Sequence, residues 1–245
     1  MQTTRLDRQA AGIALCVMLG IAVLPWYTIQ DGFWSTSWLG AYPMSGDSAP
    51  ALFLWLQGRN LWLMPVGILG LVALLAGLRR FPQPVQARLL TFVGIAGIGY
   101  MLAQGFVFGM RGWNLAWLAQ LMGETDQRQF GMGYGAVVAG GGFLFLLTRG
   151  LALRGLVGGD AFVAGSLGLV IALTLLFIGF PVLQMLAIPF RDAEGGWALA
   201  PFFDRLTDAK IWRIACFYSR TTCGVAWNSL MLAISVGVLS TLLGL

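Results

Sequence analysis

Apolar residues in this chain come in long unbroken runs, separated by short gaps rich in charged or aromatic residues. Six runs stand out: Ala10–Tyr27, Leu61–Leu78, Leu89–Met110, Met132–Thr148, Ala161–Phe190 and Gly224–Leu245. None of them contains Asp, Glu, Lys or Arg. A helix satisfies its own backbone hydrogen bonds, and about 20 residues of it cross a hydrocarbon core. The pattern therefore predicts an all-α integral membrane protein with about six transmembrane helices. The first run lies too far from a small-residue cleavage site to be a leader and is read as a retained helix. The fifth is 30 residues long, and Pro181 and Pro189 are expected to end or kink it. The last run stops without the charged or aromatic residues that usually anchor a span at the interface. It is read as the leading part of something longer.

The gaps carry their own patterns. Ala49–Gln57 is too short to span and is expected to lie on the outer surface. Trp113, Trp117, Leu121 and Met122 fall at helical spacing, so Gly112–Met122 is a second candidate surface helix. Arg191–Cys223 is the one long hydrophilic stretch. Within it Phe202, Phe203, Leu206, Ile211, Trp212 and Ile214 recur at helical spacing, with Thr207 or Asp208 placed to cap a helix. An ordered helical cap is expected there. The organisation read from these signals is a four-helix membrane region over 1–155, a fifth helix over 156–190, a cap over 191–223 and a final helix over 224–245.

Charge placement adds an orientation. The net charge of +5 and the 10% of charged residues do not indicate nucleic-acid binding, because the arginines follow the loops. Arg5 and Arg8 precede the first run, Arg79, Arg80 and Arg88 follow the second, and Arg149 and Arg154 follow the fourth. The alternate loops are neutral or acidic. The positive-inside rule then places the N-terminus in the cytoplasm, and six crossings return the C-terminus there, which puts the cap on the periplasmic side. The ten tryptophans, from Trp26, Trp34, Trp38, Trp55 and Trp62 to Trp113, Trp117, Trp197, Trp212 and Trp227, all fall at the proposed outer ends, where indole suits the headgroup region.

The remaining chemistry is sparse. Cys16 is expected to be a small packing residue inside the first helix. Cys216 and Cys223 sit in the cap, where an oxidising periplasm permits a disulfide; two free thiols is the other reading. No histidine exists to complete a metal site or to serve as general base. No phosphate-binding Gly-x-x-x-x-Gly-Lys-[Ser/Thr] loop occurs. An enzyme is not expected, and neither is a cofactor. Gly105-x-x-x-Gly109 and Gly131-x-x-x-Gly135 would allow close helix approach. Gln104 and Asn228 are the notable polar side chains in the spans. Asn228 has three readings: a helix cap, a bond to a neighbouring helix, or a group lining a path.

From Gly179 onward the order is GFPVLQMLAIPF, then DRLTDAKIWRIA, then CGVAWNSLMLAISVGVLSTLLGL. This resembles the inner-membrane permeases of binding-protein-dependent ABC importers, specifically the iron(III)-type family. The residues that carry the resemblance are Trp227, Asn228, Ser229 and Leu230 at the start of the last helix, and Thr241 and Gly244 near its end. They match about the last third of the chain. The family's Glu-Ala-Ala…Gly loop, which docks into the ATPase, does not occur. The resemblance implies the leading part of a bacterial inner-membrane permease that moves ferric iron by alternating access. Its implied partners are a cytoplasmic ATPase acting through loops absent here, a periplasmic substrate-binding protein, a second permease half and the lipid bilayer, with no nucleic acid. Thiamine, phosphonate and polyamine are alternative substrates. Arg205, Lys210 and Arg213 are the candidate contacts for the binding protein, against the plainer reading that the cap shields helix ends. The competing function is a non-transport six-helix scaffold or assembly subunit complete at residue 245.

Overall fold

A computed structural model describes residues 4–5, 7–27, 34–36, 38–42, 49–58, 60–109, 112–113, 117, 120, 131–190, 198–214, 216, 218 and 222–244. They separate into two compact units, Met1–Ile171 and Ala172–Leu245.

The first unit is built from α1 (Arg8–Val23), α2 (Trp38–Ala41), α3 (Ala51–Leu56), α4 (Met64–Leu78), α5 (Gln83–Val107), α6 (Tyr134–Leu153) and the start of α7 (Ala161–Thr174). Helices α1, α4, α5 and α6 close a ring, in which α1 packs on α4, α4 on α5, α5 on α6 and α6 back on α1. Phe143, Leu146, Leu90, Val93, Val17 and Val66 fill its centre and are fully buried. Much of the rest is alanine and glycine. Lipid tails are as apolar as a protein core, so membrane helices gain by close backbone contact rather than by hiding apolar faces. The outward faces agree: Leu15, Leu19, Leu71, Phe92 and Ile95 are all exposed.

Small residues set the closest approaches. A Cβ on Gly94 of α5 would stand 2.5 Å from Leu147 Cβ and 2.6 Å from its backbone, and one on Gly77 of α4 would stand 2.6 Å from the Ala11 nitrogen of α1. Gly135 serves α6 in the same way against the Gly20 carbonyl of α1. The expectation at Gly105 fails, because a Cβ there meets open space. Helix α5 ends in a short antiparallel pair, β3 (Phe108–Gly109) with β4 (Gly112–Trp113). Gly112 and Trp113 are therefore extended rather than helical, and Leu121 and Met122 lie outside the described residues.

Both ends of the ring are tied. At one, β1 (Thr4–Arg5) pairs with β2 (Phe81–Pro82) in the turn between α4 and α5. Gln86 donates to the Ala76 carbonyl at 3.0 Å, and Gln83 donates to the Leu153 carbonyl at 3.1 Å. At the other, Leu24–Tyr27 runs extended between residues 49–50 and 132–135. The Trp26 amide donates to Ala49, the Gly133 amide to Trp26, and the Gly135 amide to Pro25.

Several expectations change here. The first apolar run yields a helix of 16 residues, whereas five helical stretches among the described residues, Leu61–Leu78 the shortest at 18, are long and apolar enough to cross a membrane. Helix α3 turns Ala51 and Leu54 into the core and leaves Leu56 exposed. Trp26 and Trp62 are buried in the core at one end of the bundle, whereas Trp34, Trp117 and Trp212 are exposed. Trp197 lies outside the described residues. Cys16 is exposed, because it sits on the lipid-facing side of α1 rather than on the Ala10–Ala14–Val17 face. Arg8, Arg88 and Arg149, assigned to loops from the sequence, lie on helices. Long basic side chains near helix ends can reach out of the hydrocarbon, so the helices outlast their apolar runs.

The second unit holds the rest of the 30-residue helical stretch Ala161–Phe190, then α8 within it (Phe180–Ala187), α9 (Ala200–Leu206), α10 (Ala209–Trp212) and α11 (Val225–Gly244). Pro181 does not end the stretch. A wider π-helical segment, Leu175–Gly179, precedes it. Widening the turn there accommodates a residue that lacks an N–H and crowds the carbonyl four residues back. Pro189 sits in the closing 3-10 turn Ile188–Phe190.

Candidate functional site

Most of the residues singled out from the sequence gather where the cap meets the last helix. Helix α9 opens with Pro201 in its first turn, where a missing N–H costs nothing. It ends at Thr207, whose hydroxyl donates to the Phe203 carbonyl at 2.8 Å. Of the two candidate caps, Asp208 starts the next helix, with its carboxylate accepting from the Lys210 amide at 2.9 Å. Phe190 stacks on Phe202 with ring centres 4.5 Å apart, and Phe202 meets Phe203 edge-on at 5.4 Å. The apolar spacing read from the sequence thus becomes an aromatic platform under α9.

Backbone contacts join α10 to α11. The Gly224 amide donates to the Arg213 carbonyl at 2.8 Å, and the Trp227 indole donates to the Trp212 carbonyl at 3.3 Å. Gly224 is buried, and a Cβ there would stand 2.6 Å from the Ile211 carbonyl carbon and 2.8 Å from the Arg213 nitrogen. Only glycine permits that approach. The Asn228 amide donates to the Cys223 carbonyl at 3.3 Å. Its side chain is thereby turned back on its own loop, closing the entry to α11. Cys216 and Cys223 are placed as a bonded pair with Cα atoms 4.8 Å apart, inside the usual range for a disulfide.

Three cations stand on this junction. Arg205, Lys210 and Arg213 are exposed and join no salt bridge among the described residues. They leave a basic surface beside Asp204 and Asp208, the kind of mixed, wet surface that suits transient polar contact. Of the other named positions, Ser229 and Leu230 are exposed on α11, and Thr241 bonds the Gly237 carbonyl at 2.7 Å. A Cβ on Gly244 would meet open space. The structure does not bring Thr241 or Gly244 to the Trp227–Asn228 end. They lie more than three turns away along one helix.

Two polar arrangements in the first unit were not read from the sequence. The Tyr27 hydroxyl accepts from the Trp62 indole at 3.2 Å and from the Asn60 amide at 3.4 Å. The Trp62 carbonyl accepts from the Tyr100 hydroxyl at 2.6 Å and from Gln104 at 3.1 Å. Gln104, flagged as a polar residue in a span, is thus a structural partner in a network at the end of the ring. At the opposite end Arg149 Nε donates to Asp7 at 2.9 Å. The signal for that pair was present only as opposite charges in two segments read as loops. No group of three metal-ligating side chains occurs among the described residues.

Searches among known proteins agree with this picture of a membrane subunit. No family model matches the chain, and no solved structure matches it. The chain is 28% identical over 184 residues to "Putative ferric transport system permease protein FbpB 1" of Haemophilus influenzae. The match covers 75% of this chain, which spans 23% of the relative's length. A match of that extent takes in part of the first four helices, where the sequence offered no family motif. The similarity to a ferric transport permease thus covers three quarters of this multi-pass protein of the bacterial inner membrane.

Proposed function

We propose that the chain belongs to a permease subunit of a binding-protein-dependent ABC importer, with ferric iron as substrate. The observation that carries this reading is the similarity to a ferric transport permease over three quarters of the chain. The proposed topology is six crossings with both ends cytoplasmic, α1 counting as the first and the cap facing the periplasm. The arginine distribution supports it. Residues 1–155 then form an N-terminal membrane region, and the helix over 224–245 opens the transport core. A separate ATPase supplies energy, and a second permease half completes the path. The exposed Arg205, Lys210 and Arg213 receive the soluble receptor, and the Cys216–Cys223 bond stiffens the loop behind them. Such an oxidising compartment favours the bond.

The test is uptake of radiolabelled ferric iron by the native host under iron limitation, with the gene deleted and then restored. Loss on deletion and recovery on restoration is expected. Unchanged iron uptake with loss of another solute overturns the substrate. Unchanged uptake of every solute tried overturns transport. For the receptor contact, Arg205, Lys210 and Arg213 are changed together to Ala in the full protein. Undiminished receptor-stimulated ATPase activity rejects that role.

A further inference from the structure

An open cleft of about 760 Å³ runs along one flank of the first unit. Its walls are α1 and the start of α7, and its floor is α6. The volume falls within the range of roughly 300–1,000 Å³ typical of small-molecule sites. Arg8 and Arg149 stand at its mouth, and Gly12, Cys16, Phe145 and Leu169 continue the lining. From Arg8 to Cys16 the helix rises about 12 Å. One leaflet of hydrocarbon is about 15 Å deep, half of the whole core.

The charges at the mouth are not all paired. Arg149 is matched by Asp7 at 2.9 Å. Asp160, which precedes the lining residue Ala161, is engaged by the Phe162 and Val163 amides at 2.8 and 3.2 Å. Arg8 is exposed and joins no salt bridge among the described residues. An unpaired cation therefore caps an apolar trench that is open along its side and about one leaflet deep.

We infer that this cleft holds one anionic phospholipid, with its phosphate at Arg8 and one acyl chain along Gly12, Cys16, Phe145 and Leu169. Basic mouths over apolar clefts between membrane helices recognise such headgroups. The inference rests on residence in a bilayer, not on the transport reading. Gly12 offers the means to test it: a Cβ there meets nothing within 4 Å, so a larger side chain enters the cleft without disturbing the ring.

The 245-residue chain is purified in neutral detergent, mixed with equal phosphatidylglycerol and phosphatidylcholine, and its retained lipids are counted by native mass spectrometry. One phosphatidylglycerol held in preference is expected. Arg8→Gln should weaken that preference about fivefold, one surface cation's worth. Gly12→Leu should displace the lipid while leaving the melting temperature unchanged. Gly99→Leu, at another open helix position, should retain it. Equal retention of both lipids by the unaltered chain overturns the proposal, as does full retention by Gly12→Leu. Displacement of the lipid by millimolar inorganic phosphate also overturns it, because the site would then select a free anion.

Discussion

Asp7 and Arg149 are 142 positions apart in the chain and joined by an ion pair of 2.9 Å. The same carboxylate accepts the Ala10 amide at 3.1 Å and so caps α1. Its side chain is 5% exposed and that of Arg149 20%. One residue thus starts the first helix and fastens it to the last helix of the ring. Removing one member of a buried pair leaves the other uncompensated, at a cost of about 3–5 kcal/mol, and losing an N-cap costs about 1 kcal/mol more.

Asp7→Ala should therefore lower the melting temperature in detergent more than Arg149→Gln does, since it loses both roles. Asp7→Asn should fall between Asp7→Ala and the unaltered protein, because Asn still caps. Equal melting temperatures for Asp7→Asn and the unaltered protein would show that the charge pair contributes nothing.

Tyr27 is the acceptor at the other end of the ring. Tyr27→Phe preserves the ring's volume and removes the oxygen shared by Asn60 and Trp62. A loss of about 1–3 kcal/mol is expected for buried donors deprived of an acceptor. Amide exchange should speed up across Asn60–Leu63 while α6 stays protected. Unchanged protection across Asn60–Leu63 in Tyr27→Phe would rule out a local role for the network.

Two glycines on α5 should respond oppositely to alanine. At Gly94 the new methyl collides with the Leu147 backbone, and overpacking of this kind costs about 1–3 kcal/mol. At Gly99 it enters open space, and the gain in helix propensity is up to about 1 kcal/mol. Thermal melting of Gly94→Ala and Gly99→Ala side by side decides it. Two variants of equal stability would mean that α5 and α6 do not approach as described.

Gly224→Val should detach the cap from α11, because the added atoms would occupy the place of the Ile211 carbonyl. The expected readout is faster proteolysis within residues 200–214, with the ring's melting unchanged. Peptide mapping without reductant should recover Cys216 and Cys223 in one cross-linked fragment from the unaltered protein. Two alkylated thiols would remove the bond from the account.

The hydrophobic runs alone determined the solvent and the element type. Uncharged stretches of membrane length admit only helices, since a bilayer offers the backbone no hydrogen-bond partners. The sequence also placed the cap's helices, because Phe202, Phe203 and Asp208 follow rules that depend on near neighbours. The resemblance to permeases was legible at the end of the chain, where Trp227, Asn228 and Gly224 carry polar or conformational demands. It was not legible in the first four helices, where one apolar residue serves lipid contact about as well as another. Tertiary structure alone decided which face of each helix turns inward, because inward and outward faces are equally apolar. It alone made Trp26 and Trp62 core residues, turned Cys16 outward, and separated the tight glycines at Gly77 and Gly94 from the open ones at Gly12 and Gly105. Pairing Asp7 with Arg149 likewise needed the ring to close, since opposite charges in distant segments name no partner until packing brings them together.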